Sequence, residues 1–170
     1  MLGKLFVVAT PIGNLHDMTQ RSIDVLNSVD LIAAEDTRTS KVLLDNFNIK
    51  TKLVSNHKFN ESSKVKSLIK DLLEGKSIAV ISDAGTPCIS DPGFILVREA
   101  IKNNIEVIGI PGACAVTTAI SISGFEELSF SFYGFLPKEK KDILKFLELI
   151  KNDHSKVLVF YESPKRIIKS

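Results

Sequence analysis

Tryptophan is absent from this chain of 170 residues, and cysteine, methionine and tyrosine occur only twice each. Cys88 and Cys114 stand far apart and form no CxxC pair, which argues against a disulfide scaffold and reads as reduced thiols of a cytoplasmic protein. The three histidines, His16, His57 and His154, have no ligand spacing with each other or with cysteine, so no metal is expected. No apolar run approaches the roughly 18 residues of a membrane span. The short apolar run near the start is stopped by Pro11 and Gly13, which suits a first strand better than a secretion signal. The sequon Asn60-Glu61-Ser62 therefore carries no expectation of glycosylation. Neither sign of charge dominates: 22 basic against 20 acidic residues give +2, too weak a field for a nonspecific DNA binder. GxGxxG, GxxxxGK[ST] and GxSxG are all missing, which weakens dehydrogenase, nucleotide hydrolase and acyl-enzyme readings.

What is present is an ordinary foldable composition, 44% hydrophobic and 25% charged. A chain of this length buries enough surface to fold without a staple. Residues 1–137 carry 13 basic and 15 acidic side chains, and residues 138–170 carry 9 and 5, so charge shifts from −2 to +4. The basic end is either a lysine-rich solvated helix or a face for an anionic partner. Two hydrophobic periods alternate. Strand-like runs occupy 5–9, 31–34, 78–82, 106–110, 130–135 and 157–161, with a weaker one at 52–55. Helical spacing links Ile23, Val25, Leu26 and Val29, then Val65 to Leu73 ahead of Gly75, then Ile143 to Ile150. Expected helix starts are an Asp17/Gln20 capping box, Asp91-Pro92 and Ser163-Pro164. Near-continuous apolar strands separated by helices predict an α/β fold, a parallel sheet with helices on both faces. The short polar segment 121–131, with Gly124 and Glu126-Glu127, marks a boundary. It predicts a parallel-sheet N-terminal domain over 1–122 and the start of a second α/β domain over 123–170, begun and not completed.

In open α/β sheets, ligands gather at the carboxyl ends of strands. Three strand-end loops are rich in glycine and proline, at 10–14, 83–93 and 110–115. They are either plain tight turns or, lying side by side, a set of backbone N–H and C=O groups offered to one small molecule. Glu35-Asp36-Thr37-Arg38 after the second strand is the densest polar cluster, and reads equally as catalytic carboxylates or as a helix cap with a local ion pair. Phe160-Tyr161-Glu162-Ser163-Pro164-Lys165-Arg166 can stack a ring and hold a phosphate, or simply start a helix with solvated cations.

Taken together, Val8-Ala-Thr-Pro-Ile-Gly-Asn-Leu15, Glu35-Asp-Thr-Arg38, Ser82-Asp-Ala-Gly-Thr-Pro87, Ser90-Asp-Pro-Gly93, Pro111-Gly112, Tyr133-Gly-Phe-Leu-Pro137 and Phe160-Tyr-Glu-Ser-Pro164 closely resemble the bacterial 16S ribosomal RNA 2′-O-ribose methyltransferases of the tetrapyrrole-methylase superfamily. The resemblance covers essentially the whole chain, in order. It implies two α/β domains with the cofactor in the cleft between them, S-adenosylmethionine as cofactor, a homodimer, and methylation of a cytidine ribose near the decoding site of the small ribosomal subunit. By resemblance the cofactor is gripped by Pro11, Ile12 and Gly13, by Gly85, Thr86, Pro87 and Ile89, and by Pro111, Gly112, Cys114 and Ala115, with Tyr161 of the second domain walling its adenine. Thr86 stands where the tetrapyrrole enzymes usually carry aspartate. Glu35 and Asp36 are the candidate bases, and Arg38, Lys165 and Arg166 the candidate RNA-phosphate contacts. Relatives run well beyond 170 residues, so the chain is expected to be a fragment or a natural truncation. Alternatives are a tetrapyrrole methyltransferase and an inactive remnant that binds cofactor or RNA.

Overall fold

The structure is a computed structural model and describes residues 1–56, 61–126, 129–155 and 157–168. His57, Asn60 of the sequon and Glu127 lie outside the described residues. Two compact units divide the chain, Met1–Ala115 and Val116–Ser170.

In the first unit five strands alternate with helices: β1 (Lys4–Val8), α1 (Gln20–Ser28), β2 (Leu31–Ala34), α2 (Thr37–Asn46), β3 (Lys52–Ser55), α3 (Glu61–Leu73), β4 (Ile78–Ile81), α4 (Phe94–Lys102) and β5 (Glu106–Ile110). All pair in parallel, in the order β3-β2-β4-β1-β5. The side-chain period of two sends alternate residues to opposite faces. Leu31, Ala33, Ile78 and Val80 pack with Val65, Leu68 and Leu72 of α3 and Leu96 and Ala100 of α4. Ile32, Ala34, Ala79 and Ile81 pack with Leu26 of α1 and Leu44 of α2. Every residue of β2 and β4 is therefore buried, which is why these strands read as unbroken apolar runs.

The helix starts depart from expectation. Asp17 ends a single 3-10 turn, Leu15–Asp17, opened by Asn14, and the cap of α1 is Thr19, whose hydroxyl accepts from the Ser22 N–H at 3.1 Å. Asp91-Pro92 stays in the loop. Helix α4 is preceded instead by Gly93 at φ +123, where a Cβ would lie 3.1 Å from Cys88 Sγ. That close approach removes the side chain a cap needs. Residues 164–168 form turns, with the Ser163 carbonyl accepting from Arg166 and Ile167 N–H groups.

The second unit takes in most of α5 (Ala115–Ile122), then β6 (Phe130–Phe135), α6 (Lys140–Ile150) and β7 (Val157–Tyr161). β6 and β7 form a two-stranded parallel sheet whose register shifts between Phe132 and Phe135. Aromatic rings fill it. Tyr133 meets Phe146 of α6 edge-on at 5.6 Å and stacks with Phe160 at 5.7 Å, while Tyr161 packs on Phe132 and Phe135. Ser131 and Ser155 share a hydrogen bond, and the Tyr133 hydroxyl donates to the Asp153 carboxylate. The hydroxyls of Ser131 and Tyr133 hold that carboxyl well below the usual carboxylate range.

Candidate functional site

Strand order places β4, β1 and β5 side by side, and the structure brings their three carboxyl-end loops together. Thr10 N–H donates to the Gly85 carbonyl at 2.9 Å, and Gly85 N–H returns a bond to Thr10 at 3.0 Å. The buried Thr10 hydroxyl donates to the Ser82 carbonyl at 3.2 Å. The third loop is tied in by the Thr86 hydroxyl, which donates to the Ala113 carbonyl at 3.1 Å, and by Ala9 N–H, which donates to Ile110. At Gly112 a Cβ would lie 2.9 Å from the Ala9 Cβ, so only glycine lets the third loop approach the first this closely. The three segments, distant in sequence, make one rim.

The candidate cofactor residues divide by exposure. Pro11, Gly85 and Pro87 are buried and frame the rim. Ile12, Gly13, Ile89, Pro111 and Gly112 are exposed, and Thr86, Cys114 and Ala115 are half-buried. Neither Cys88 nor Cys114 forms a disulfide. Tyr161 belongs to the second unit and stands among its aromatic rings.

The polar cluster after β2 separates into two kinds of carboxylate. Asp36 caps α2, accepting from the Arg38 N–H at 2.8 Å, and holds the Arg38 guanidinium at 2.7 and 3.1 Å. Those bonds keep its carboxyl down at about 2, so the cap and ion pair are its structural role. Glu35 is different. Burial first, then the neighbouring Asp83 and Asp91 carboxylates, raises it above the usual glutamate range. Asp91 is itself raised, by burial and by Asp83. Asp83 also accepts from the Asp36 N–H at 3.1 Å, fastening the β2 and β4 loops to one another. Reading the sequence missed this carboxylate group, because 83–93 attracted notice for its glycines and prolines. The signal was there in its flanking acids, but strand order is needed to see that they meet Glu35.

Beside the rim, a cavity of about 660 Å³ opens between the first loop and α2. Pro11, Gly13 and Leu15 of the loop line it together with Thr39, Val42 and Asn46 of α2 and with Asp83.

Of the candidate RNA contacts, Arg38 is 90% exposed yet paired with Asp36, and Lys165 is exposed. Arg166 is engaged within the second unit: its guanidinium donates to the Pro137 carbonyl at 2.7 Å and pairs with Glu162 at 3.3 Å. Among the described residues no helix is long and apolar enough to cross a membrane, and no group of three potential ligands is placed to hold a metal.

Comparison with known proteins agrees with this fold. The fold is that of the uroporphyrin-III-C-methyltransferase from Thermus thermophilus, with a TM-score of 0.61 at 21% identity over 81% of this chain and 65% of that one. A protein of Halalkalibacterium halodurans named ribosomal RNA small subunit methyltransferase I is 54% identical over 97% of this chain. The chain spans 57% of that relative's length. The protein of the same name from Thermotoga maritima is 46% identical over 99% of this chain and is 75% covered. Residues 4–170 match the family described as Tetrapyrrole (Corrin/Porphyrin) Methylases, and the chain belongs to that family.

Proposed function

We propose that this chain binds S-adenosylmethionine at the three-loop rim and serves the 2′-O-methylation of a cytidine ribose in 16S ribosomal RNA of the small ribosomal subunit. The observation that carries the reading is the pair of cross-links, Thr10 to Gly85 and Thr86 to Ala113, which fuse three loops into one backbone-lined edge. The RNA substrate comes from the name shared by the two relatives. The same reading makes the protein cytoplasmic and a homodimer.

The residues present suit the donor. Exposed Ile12 and Ile89 offer apolar walls to an adenine ring. Pro111, Gly112 and Ala113 leave backbone accessible with no bulky side chain in the way. Glu35, Asp83 and Asp91 give the rim a negative field that favours a cationic sulfonium. When bound, S-adenosylmethionine supplies an activated methyl group, so the protein needs to position and deprotonate rather than to form a covalent intermediate. Positioning a hydroxyl in line is worth about 7–11 kcal/mol of the barrier. Glu35 is the proton acceptor of choice: its raised pKa brings it nearer the operating pH, where a base is both ionised and effective. Asp36, committed to Arg38 and to its helix, is left to hold α2 in place. Arg38 and Lys165 remain the RNA-phosphate candidates.

The test is methyl transfer from labelled S-adenosylmethionine to small ribosomal subunits, with a uroporphyrinogen as the competing substrate and calorimetry for donor binding. The expected result is donor binding and label in 16S RNA. Glu35→Gln should lower the transfer rate by about 10²–10⁴ when measured at saturating donor. Label in the uroporphyrinogen instead, or no donor binding, overturns the reading.

A further inference from the structure

The cavity beside the donor rim has a chemistry of its own. Its volume, about 660 Å³, lies within the roughly 300–1,000 Å³ typical of small-molecule sites. Its apolar lining comprises Leu15 and Val42, which are 45% and 72% exposed, with Pro11 and Leu43 beside them. Three neutral polar side chains converge on it, Asn14, Thr39 and Asn46. The Asn14 carbonyl oxygen accepts from the His16 N–H, leaving its amide as a donor, and the Asn46 amide has no hydrogen bond among the described residues. The lining holds no lysine or arginine, and its one ionisable group is the Asp83 carboxylate.

That inventory selects by charge. A ligand bearing several carboxylates, as a uroporphyrinogen does, meets no cation here and one like charge, which costs binding free energy. A phosphate meets the same obstacle. A neutral, flat, amphipathic group with donors and acceptors on its edge meets aliphatic walls for its faces and amides for its edge, which is how unstacked RNA bases are held. The cavity also shares Pro11 and Gly13 with the donor loop, so an occupant adjoins the proposed methyl donor.

We infer that this cavity is the seat of the acceptor nucleoside: an unstacked RNA base lies between Leu15 and Val42, the Asn46 amide reads its edge, and the phosphates on either side stay outside the lining. This deepens the RNA ribose reading above and rests on it. The site would discriminate between nucleosides by the Asn46 amide, and against anionic substrates by its lack of cations.

The experiment titrates this chain, isotopically labelled, with cytidine alone and follows its amide resonances, with inorganic phosphate and uroporphyrin III as parallel probes. Cytidine should perturb the amides of Gly13, Asn14 and Leu15, those of α2 from Thr39 to Asn46, and the Asn46 side-chain amide. Val42→Glu and Asn46→Leu should each weaken cytidine at least tenfold, with donor affinity by calorimetry unchanged. Both positions are exposed on α2, and an intact amide spectrum confirms that each variant folds. Val42→Leu should retain cytidine. Cytidine that perturbs none of these residues, that binds Val42→Glu normally, or that is outcompeted there by uroporphyrin or phosphate overturns the inference. A chain that binds donor but not cytidine defeats this inference alone. One that binds cytidine but not donor defeats the donor reading and leaves the nucleoside seat standing.

Discussion

The two units solve the same problem, covering a parallel sheet, in different ways. Met1–Ala115 sandwiches five strands between two helical layers, and its central strands are buried on both faces. Val116–Ser170 has two strands whose register shifts once, and among its described residues only Val116, Ile150 and Val157 are buried hydrophobics. Leu149, Phe125 and Ile168 there are largely exposed. An isolated two-stranded sheet is marginal in water, so this unit relies on ring–ring contacts and a polar knot around Asp153 rather than on a closed core. The lesson is about where rigidity resides. The rim that fuses three loops grows from the unit whose strands cannot move without opening two cores.

The largest effect that tests this contrast is in the core. Ile78→Ala, at a fully buried position of β4, should cost about 2–5 kcal/mol in denaturant unfolding. The comparable truncation Leu149→Ala, 81% exposed on α6, should stay within about 0.5 kcal/mol. Equal costs would break the comparison. Next comes the rim. Gly112→Val drives a side chain into Ala9, and Cys114→Phe crowds the same loop. Each should weaken S-adenosylmethionine by at least tenfold in calorimetry while far-ultraviolet circular dichroism stays unchanged. Normal donor binding by both variants would mean that the fused loops are a structural brace only. Smaller still is Phe146→Leu in the second unit. It deletes edge-on contacts with Tyr133 and Phe160 and should cost about 1 kcal/mol, read as greater protease sensitivity confined to residues after 115.

The strands were legible because their burial is written in composition: β5, β6 and β7 have the bounds that the apolar runs predict, and β2 and β4 show the unbroken runs of doubly covered strands. The helix starts were less so. Asp17, Asp91 and Ser163 all carry cap chemistry, yet a cap also depends on the path of the incoming chain, and that path is set by contacts such as Gly93 against Cys88. The glycine and proline loops were recognisable one by one. Their fusion follows from the order β4-β1-β5, which no local pattern encodes. The same gap hid Asp83 and Asp91, which matter through their nearness to Glu35 rather than through any motif.

The subtlest prediction concerns Glu35, where stability and chemistry pull apart. Burial and its acidic neighbours raise its pKa in the folded state, so ionising it opposes folding. The sign follows from linkage: the protonated form's contribution is present below the unfolded glutamate pKa and is lost as pH rises through the folded value. Glu35→Gln, permanently neutral, should therefore raise the unfolding midpoint slightly at pH 7, and the gain should shrink as pH falls toward about 4.5. Ordinary surface replacements show no such pH dependence. A variant that is more stable at pH 7 and slower in methyl transfer would mark Glu35 as strain kept in the rigid unit for the sake of the reaction. A difference from the parent chain that is the same at both pH values would mean that water reaches this carboxylate freely, and would leave the rim without a base tuned by its surroundings.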